Sequence, residues 1–105
     1  MRILIDEGVP VQIERALIGH VCTTVQKAGW GSYTNGALLA KAEGTYDLFI
    51  TADKNLKYQQ NLAERKIAIL ELSTNRRRII ESNSTRILEA VDRIKPGDFI
   101  SLDLL

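Results

Sequence analysis

The 105-residue chain is 45% hydrophobic and 26% charged, and 14 Lys and Arg against 13 Asp and Glu leave a formal net charge of +1. That length suits one domain with one core rather than two, and ample hydrophobicity with little net charge excludes disorder. No apolar run nears the roughly 20 residues that span a bilayer, no secretory signal pattern opens the chain, and the single cysteine, Cys22, cannot close an internal disulfide, so a cytoplasmic protein with no membrane partner is expected.

Arg2-Ile3-Leu4-Ile5 reads as a buried first strand. Pro10 follows where a first helical turn tolerates it, Val9, Ile13, Ala16 and Leu17 recur at helical spacing, and Gly19 stops that helix. His20 to Val25 is a second strand rich in β-branched residues. The loop from Lys27 to Thr34 carries the only tryptophan, Trp30, and then Asn35 opens a helix through Leu38, Leu39 and Ala42 that Gly44 ends. Tyr46 to Thr51 is the third strand, followed by Ala52-Asp53-Lys54-Asn55 and a helix through Leu56 and Leu62. Ile67 to Leu72 is the fourth strand. One long helix then places Ile80, Ile87, Val91 and Ile94 on one face and stops at Pro96-Gly97, and Phe99 to Leu102 closes as the fifth strand. Strict β-α alternation over residues 1–105 predicts a single three-layer α/β/α sandwich, with a mainly parallel sheet of about five strands and right-handed crossovers.

Ligands of open parallel sheets bind beyond the carboxyl ends of the strands. By that rule the working edge holds residues 6–9, 26–35, 51–55 and 73–78, while 18–20, 43–46, 64–67 and 95–98 lie at the opposite edge. The working edge gathers the carboxylates Asp6, Glu7 and Asp53 with the bases Lys27, Lys54, Arg76, Arg77 and Arg78 and the aromatics Trp30 and Tyr33. Acids gathered at one end repel one another unless a cation lies between them, and a hard divalent ion suits oxygen ligands. The surrounding bases would meet nucleic-acid phosphates, and a ring could stack on an unpaired base. A metal-dependent nuclease is therefore the first reading.

Each residue also has a plainer role. Asp6 and Asp53 are common turn or N-cap residues, Glu7 suits a first helical turn, and Asn35 before Gly36 reads as an N-cap. Trp30 can anchor its glycine loop, and the arginine run can be a solvated helix start, although three positive charges there oppose the helix dipole. His20 reads as a strand-edge or core residue and Cys22 as a small hydrophobe.

The opening M-R-I-L-I-D-E-G-V-P, then Gly19-His20-Val21, Ala28-Gly29-Trp30-Gly31 and Leu48-Phe49-Ile50-Thr51-Ala52-Asp53-Lys54-Asn55, resembles the compact PIN-like proteins, relatives of VapC-type toxin ribonucleases. The likeness covers roughly the first 60% of the chain. It implies a PIN-like fold, a Mg2+ or Mn2+ site of strand-end carboxylates, RNA phosphodiester hydrolysis and a small antitoxin protein as partner. Carried over, Asp6 and Asp53 are the central metal ligands with Glu7 as a helper. Asn35 stands where the family's second-helix acid is expected and can offer only a neutral carbonyl oxygen, and Lys54, Asn55 and Lys57 stand where a fourth acid would fall. Two alternatives follow. One is a non-catalytic PIN-like module that binds RNA or protein with a decayed metal site. The other is a receiver-like phosphoacceptor domain built on Asp6-Glu7, Asp53 and Ser73-Thr74, against which Lys95 falls at the wrong edge. Oligomeric state, a homodimer included, stays open.

Overall fold

The computed structural model describes residues 1–56 and 65–105. The expected helix beyond Leu56, with Lys57 and its polar run Tyr58, Gln59, Gln60 and Asn61, lies outside the described residues. Five strands form one all-parallel sheet in the order β2-β1-β3-β4-β5: β1 Arg2–Ile5, β2 Val21–Thr24, β3 Leu48–Thr51, β4 Ala68–Leu72 and β5 Phe99–Leu102. Helices are α1 Asn35–Ala42, α2 Arg77–Ser82 and α3 Ser84–Arg93, and a 3-10 helix spans Val11–Ala16. The central strands β3 and β4 are buried throughout, as parallel strands covered on both sides must be.

Side chains alternate between two cores. On one face Ile3, Ile5, Leu48, Ile50, Leu70 and Leu72 pack under the 3-10 helix, α2 and α3. On the other, Leu4, Phe49 and Ile69 pack with Leu38, Leu39 and Ala42 of α1. The three layers expected from the sequence are therefore present.

Three expectations need correction. The first helix is a 3-10 segment, starting after Pro10 and ended by Leu17 N donating to Glu14 O. Gly19 supports the stop, at φ 87° in the left-handed region that favours glycine.

The long C-terminal helix is two helices that meet at Asn83, whose φ of −113° and ψ of 22° leave the helical region. Its side-chain amide donates to Ile79 O at 2.8 Å and to Leu104 O at 3.4 Å, competing with the backbone as Asn does in a helix.

The last crossover departs from the expected hand. The 3-10 helix links β1 to β2 toward one side of the sheet, while α2 and α3 link β4 to β5 toward the other side, yet both lie on the same face. Opposite directions on one face mean opposite hands. The connection through α1, on the second face, agrees in hand with the first, so the last is the exception to a strong general preference. The reason lies in coverage. A six-residue 3-10 helix is only about 12 Å long and cannot shield Leu48, Ile50, Leu70 and Leu72. The apolar stripe of Ile80, Ile87 and Val91 fills that space instead.

Candidate functional site

In this strand order the direction of winding reverses between β1 and β3, the position where open α/β sheets place their ligands. Asp6 follows β1 directly, and Asp53 follows β3 after one residue, Ala52. The pair is organised by Thr51, the last residue of β3, which is 0% exposed. Its hydroxyl donates to Asp6 Oδ2 at 2.8 Å and accepts from Asp53 N at 3.0 Å. Asp6 Oδ1 accepts from Glu7 N at 2.8 Å, and Asp53 Oδ1 accepts from Asn55 N at 2.9 Å. Each carboxylate is thus fixed by the turn it begins, so the plain turn-residue role and a site role coexist. Carboxylate oxygens retain further lone pairs after these bonds.

Asn35 is not the N-cap expected from the sequence. Thr34 caps α1, its side chain accepting from Ala37 N at 3.4 Å. Asn35 instead turns its amide nitrogen to Asp53 Oδ2 at 3.4 Å. Glu7 is exposed, and its Oε1 lies where a Cβ on Gly31 would stand 2.6 Å away. The Gly29-Trp30-Gly31 loop therefore admits the Glu7 carboxylate because position 31 lacks a side chain.

The sheet order sets the bases on both sides of the acids. Lys27 is exposed just past β2, its backbone N–H donating to Thr24 Oγ1. Arg76, Arg77 and Arg78 are exposed past β4. Arg77 is not free, because its Nε donates to Glu81 Oε1 at 2.6 Å within α2. Among the described residues, Arg76 and Arg78 have no carboxylate partner.

Trp30 packs among other rings. Its ring meets Tyr46 edge-on at 5.7 Å and Tyr33 at 6.4 Å, and Lys41 Nζ lies 5.6 Å over it. Half-buried against the α1 core, it anchors its loop.

At the opposite edge His20 Nε2 meets Asp92 Oδ1 at 3.0 Å and its Nδ1 meets the N-terminal amine at 3.1 Å. Glu43 pairs with Arg65 at 3.6 Å and Asp47 accepts from Arg2 N at 2.8 Å, so neither reaches the working edge. Lys95 lines a cleft there with Asp47 and Lys66, the wrong end for a receiver-like lysine.

The most informative residue was not singled out from the sequence. Glu71 lies inside β4, 4% exposed, beside Thr51 on β3 and Ser101 on β5. Ser101 Oγ donates to Glu71 Oε1 at 2.8 Å, while Glu71 Oε2 is buried with no hydrogen-bond partner among the described residues. A row of Leu4, Phe49, Ile69 and Phe99 thus gives way, two residues on, to Asp6, Thr51, Glu71 and Ser101. The signal was legible: a glutamate breaks an otherwise apolar buried strand, where an unpaired charge is costly. Glu71 lines a cleft of about 410 Å³ with Lys54, Ser73, Ser101, Asp103 and Leu105. The reversed last crossover leaves that side of β4 and β5 without α2 or α3.

Among the described residues no three acidic, histidine or cysteine side chains gather as a metal-binding group. The donor chemistry of Asp6 and Asp53 still suits a hard cation, since Mg2+ commonly takes one or two carboxylates and completes its shell with water and phosphate. No helix among the described residues is long and apolar enough to cross a membrane. The chain matches no protein-family model, and neither curated proteins nor solved structures give a significant match to it.

Proposed function

We propose that this chain is a metal-dependent ribonuclease of PIN-like type, the toxin of a toxin–antitoxin pair with a small antitoxin protein as partner. The observation that carries the reading is the placement of Asp6 and Asp53 at the ends of adjacent central strands, joined through the buried Thr51 hydroxyl. Asp6 and Asp53 would hold Mg2+ or Mn2+, with Glu7 near enough in sequence to lend an oxygen. A cation bound there would supply positive charge for a phosphoryl oxygen and would lower the pKa of a bound water. Thr51 holds the Asp6 carboxylate in one orientation, and Asn35 holds that of Asp53. Lys27, Lys54, Arg76 and Arg78 supply charge for RNA phosphates on both sides of the acids.

Single-stranded RNA incubated with Mn2+ should be cleaved, and Asp6→Asn and Asp53→Asn should each abolish cleavage. Equal cleavage by wild type and both variants overturns the reading.

A second reading, a non-catalytic PIN-like module that binds RNA or protein, draws support from Asn35. Its amide nitrogen, rather than a carboxylate, faces Asp53. Calorimetric titration with Mn2+ separates the two: a binding isotherm lost in Asp53→Asn favours the nuclease, and no heat at millimolar metal favours the module.

A further inference from the structure

We propose that the cleft over β4 and β5 is a subsite for an unpaired nucleobase carrying an exocyclic amine, read by Glu71. The proposal rests on the RNA reading above and names what part of the RNA this neighbouring cleft would take.

Three observations lead to it. Glu71 is 4% exposed and yet has an acceptor oxygen, Oε2, without a partner among the described residues. A buried, unsatisfied carboxylate oxygen is costly, and a ligand that donates to it removes the cost. Its other oxygen is already held by Ser101 Oγ at 2.8 Å, so the side chain is fixed before any ligand arrives. The third observation is the shape and polarity of the surroundings. The cleft, about 410 Å³, has room for a base, and Lys54 and Ser73 add donors to its lining. Ser73 Oγ accepts from Leu104 N at 2.8 Å, which leaves its own proton for a ligand acceptor.

The chemistry selects among bases. Single-stranded RNA is read on unstacked base edges, and carboxylates accept from amino groups there, as with the N4 amine of cytosine. Guanine, adenine and cytosine each bring an amine. Uracil flanks its one imino N–H with two carbonyl oxygens, which a fixed carboxylate repels. Lys54 follows Asp53 directly in the chain, so a base in this cleft would sit beside the phosphate path across Asp6 and Asp53.

The test uses the full chain in EDTA, titrated with GMP, CMP, AMP and UMP and followed by amide chemical shifts. The three amine-bearing nucleotides should bind at least about tenfold tighter than UMP, the weight of one charge-assisted hydrogen bond. Their shifts should centre on Ser73, Ser101 and Leu105. Glu71→Gln presents a donor as well as an acceptor and should erase the preference. Ser101→Ala keeps the carboxylate but removes the hydroxyl that fixes it, and should narrow the preference without erasing it, which keeps the proposal testable if the Gln variant fails to fold. Equal binding of all four nucleotides, no binding at millimolar concentration, or shifts confined to Arg76 and Arg78 overturns it. Base preference without metal-dependent cleavage keeps the subsite and discards the nuclease; cleavage without base preference discards the subsite alone.

Discussion

Thr51 closes β3 and Asp6 follows the neighbouring strand β1, and the Thr51 hydroxyl donates to Asp6 Oδ2 at 2.8 Å. Because the same oxygen accepts from Asp53 N, one buried side chain sets the spacing of both carboxylates. Thr51→Val keeps the shape but removes both bonds and should cost about 1–3 kcal/mol. Thr51→Ser keeps the hydroxyl and should cost about 1 kcal/mol, the loss of one methyl group. Urea unfolding midpoints that rank Val above Ser would contradict this arrangement.

Gly31→Ala tests the contact with Glu7. The new Cβ would fall 2.6 Å from Glu7 Oε1, the far end of an exposed and flexible side chain that can swing away. Stability should stay within about 0.5 kcal/mol of wild type. RNA cleavage, however, should fall to the level of Glu7→Gln, measured side by side under the same Mn2+ concentration.

The arginine run should contribute unequally. Arg77 is engaged by Glu81, whereas Arg76 and Arg78 have no carboxylate partner among the described residues. Replacing all three with Ala should flatten the log–log salt dependence of single-stranded RNA affinity by about 1.4, the value for two phosphate contacts. Replacing Arg77 alone should leave the slope near that of wild type. A slope unmoved by the triple replacement means that the run is only solvated.

Cys22 should react slowly in the native protein. Burial pushes its thiol above the ordinary range, the nearby Glu14 charge adds to that, and the N-terminal ammonium works against it. At pH 8 iodoacetamide should alkylate the denatured chain faster than the native one, as read by mass spectrometry. Since the folded state holds the proton more tightly, this group's contribution to stability is complete below the unfolded thiol's pKa. It is lost as pH rises through the folded value.

Much of the fold was legible because local signals agreed with it. The limits of β5 match the run Phe99 to Leu102, and α1 begins at Asn35 as expected. Asp6 and Asp53 fell at the carboxyl-end edge of the sheet because strand direction alone decides that. What escaped was set by tertiary balance. The stripe of Ile80, Ile87 and Val91 has one continuous helical period, and the break at Asn83 depends on a carbonyl of Leu104, 21 residues away. The hand of the last crossover depends on how much sheet a short 3-10 helix leaves uncovered, which no local pattern encodes. Asn35 lost the capping role to Thr34, its neighbour by one position, within the usual uncertainty of helix ends. Glu71 was missed for a different reason. A run whose apolar residues already mark a buried strand gives no local sign of what its one charged residue faces.

The packing of α2 and α3 beside the 3-10 helix has a consequence for the order in which the protein assembles. Ile13 and Leu17 belong to the same core as Ile80, Ile87 and Val91, so that core joins segments more than 60 positions apart. Contacts this distant in sequence slow folding, because a long loop must close before they form. During synthesis from the N-terminus, the face of β1 and β3 that carries Ile3, Ile5 and Ile50 has only the short 3-10 helix for cover until residues 77–94 emerge. The α1 face has its own cover much earlier. A nascent chain would therefore hold one finished side and one adhesive side, and the adhesive side closes last.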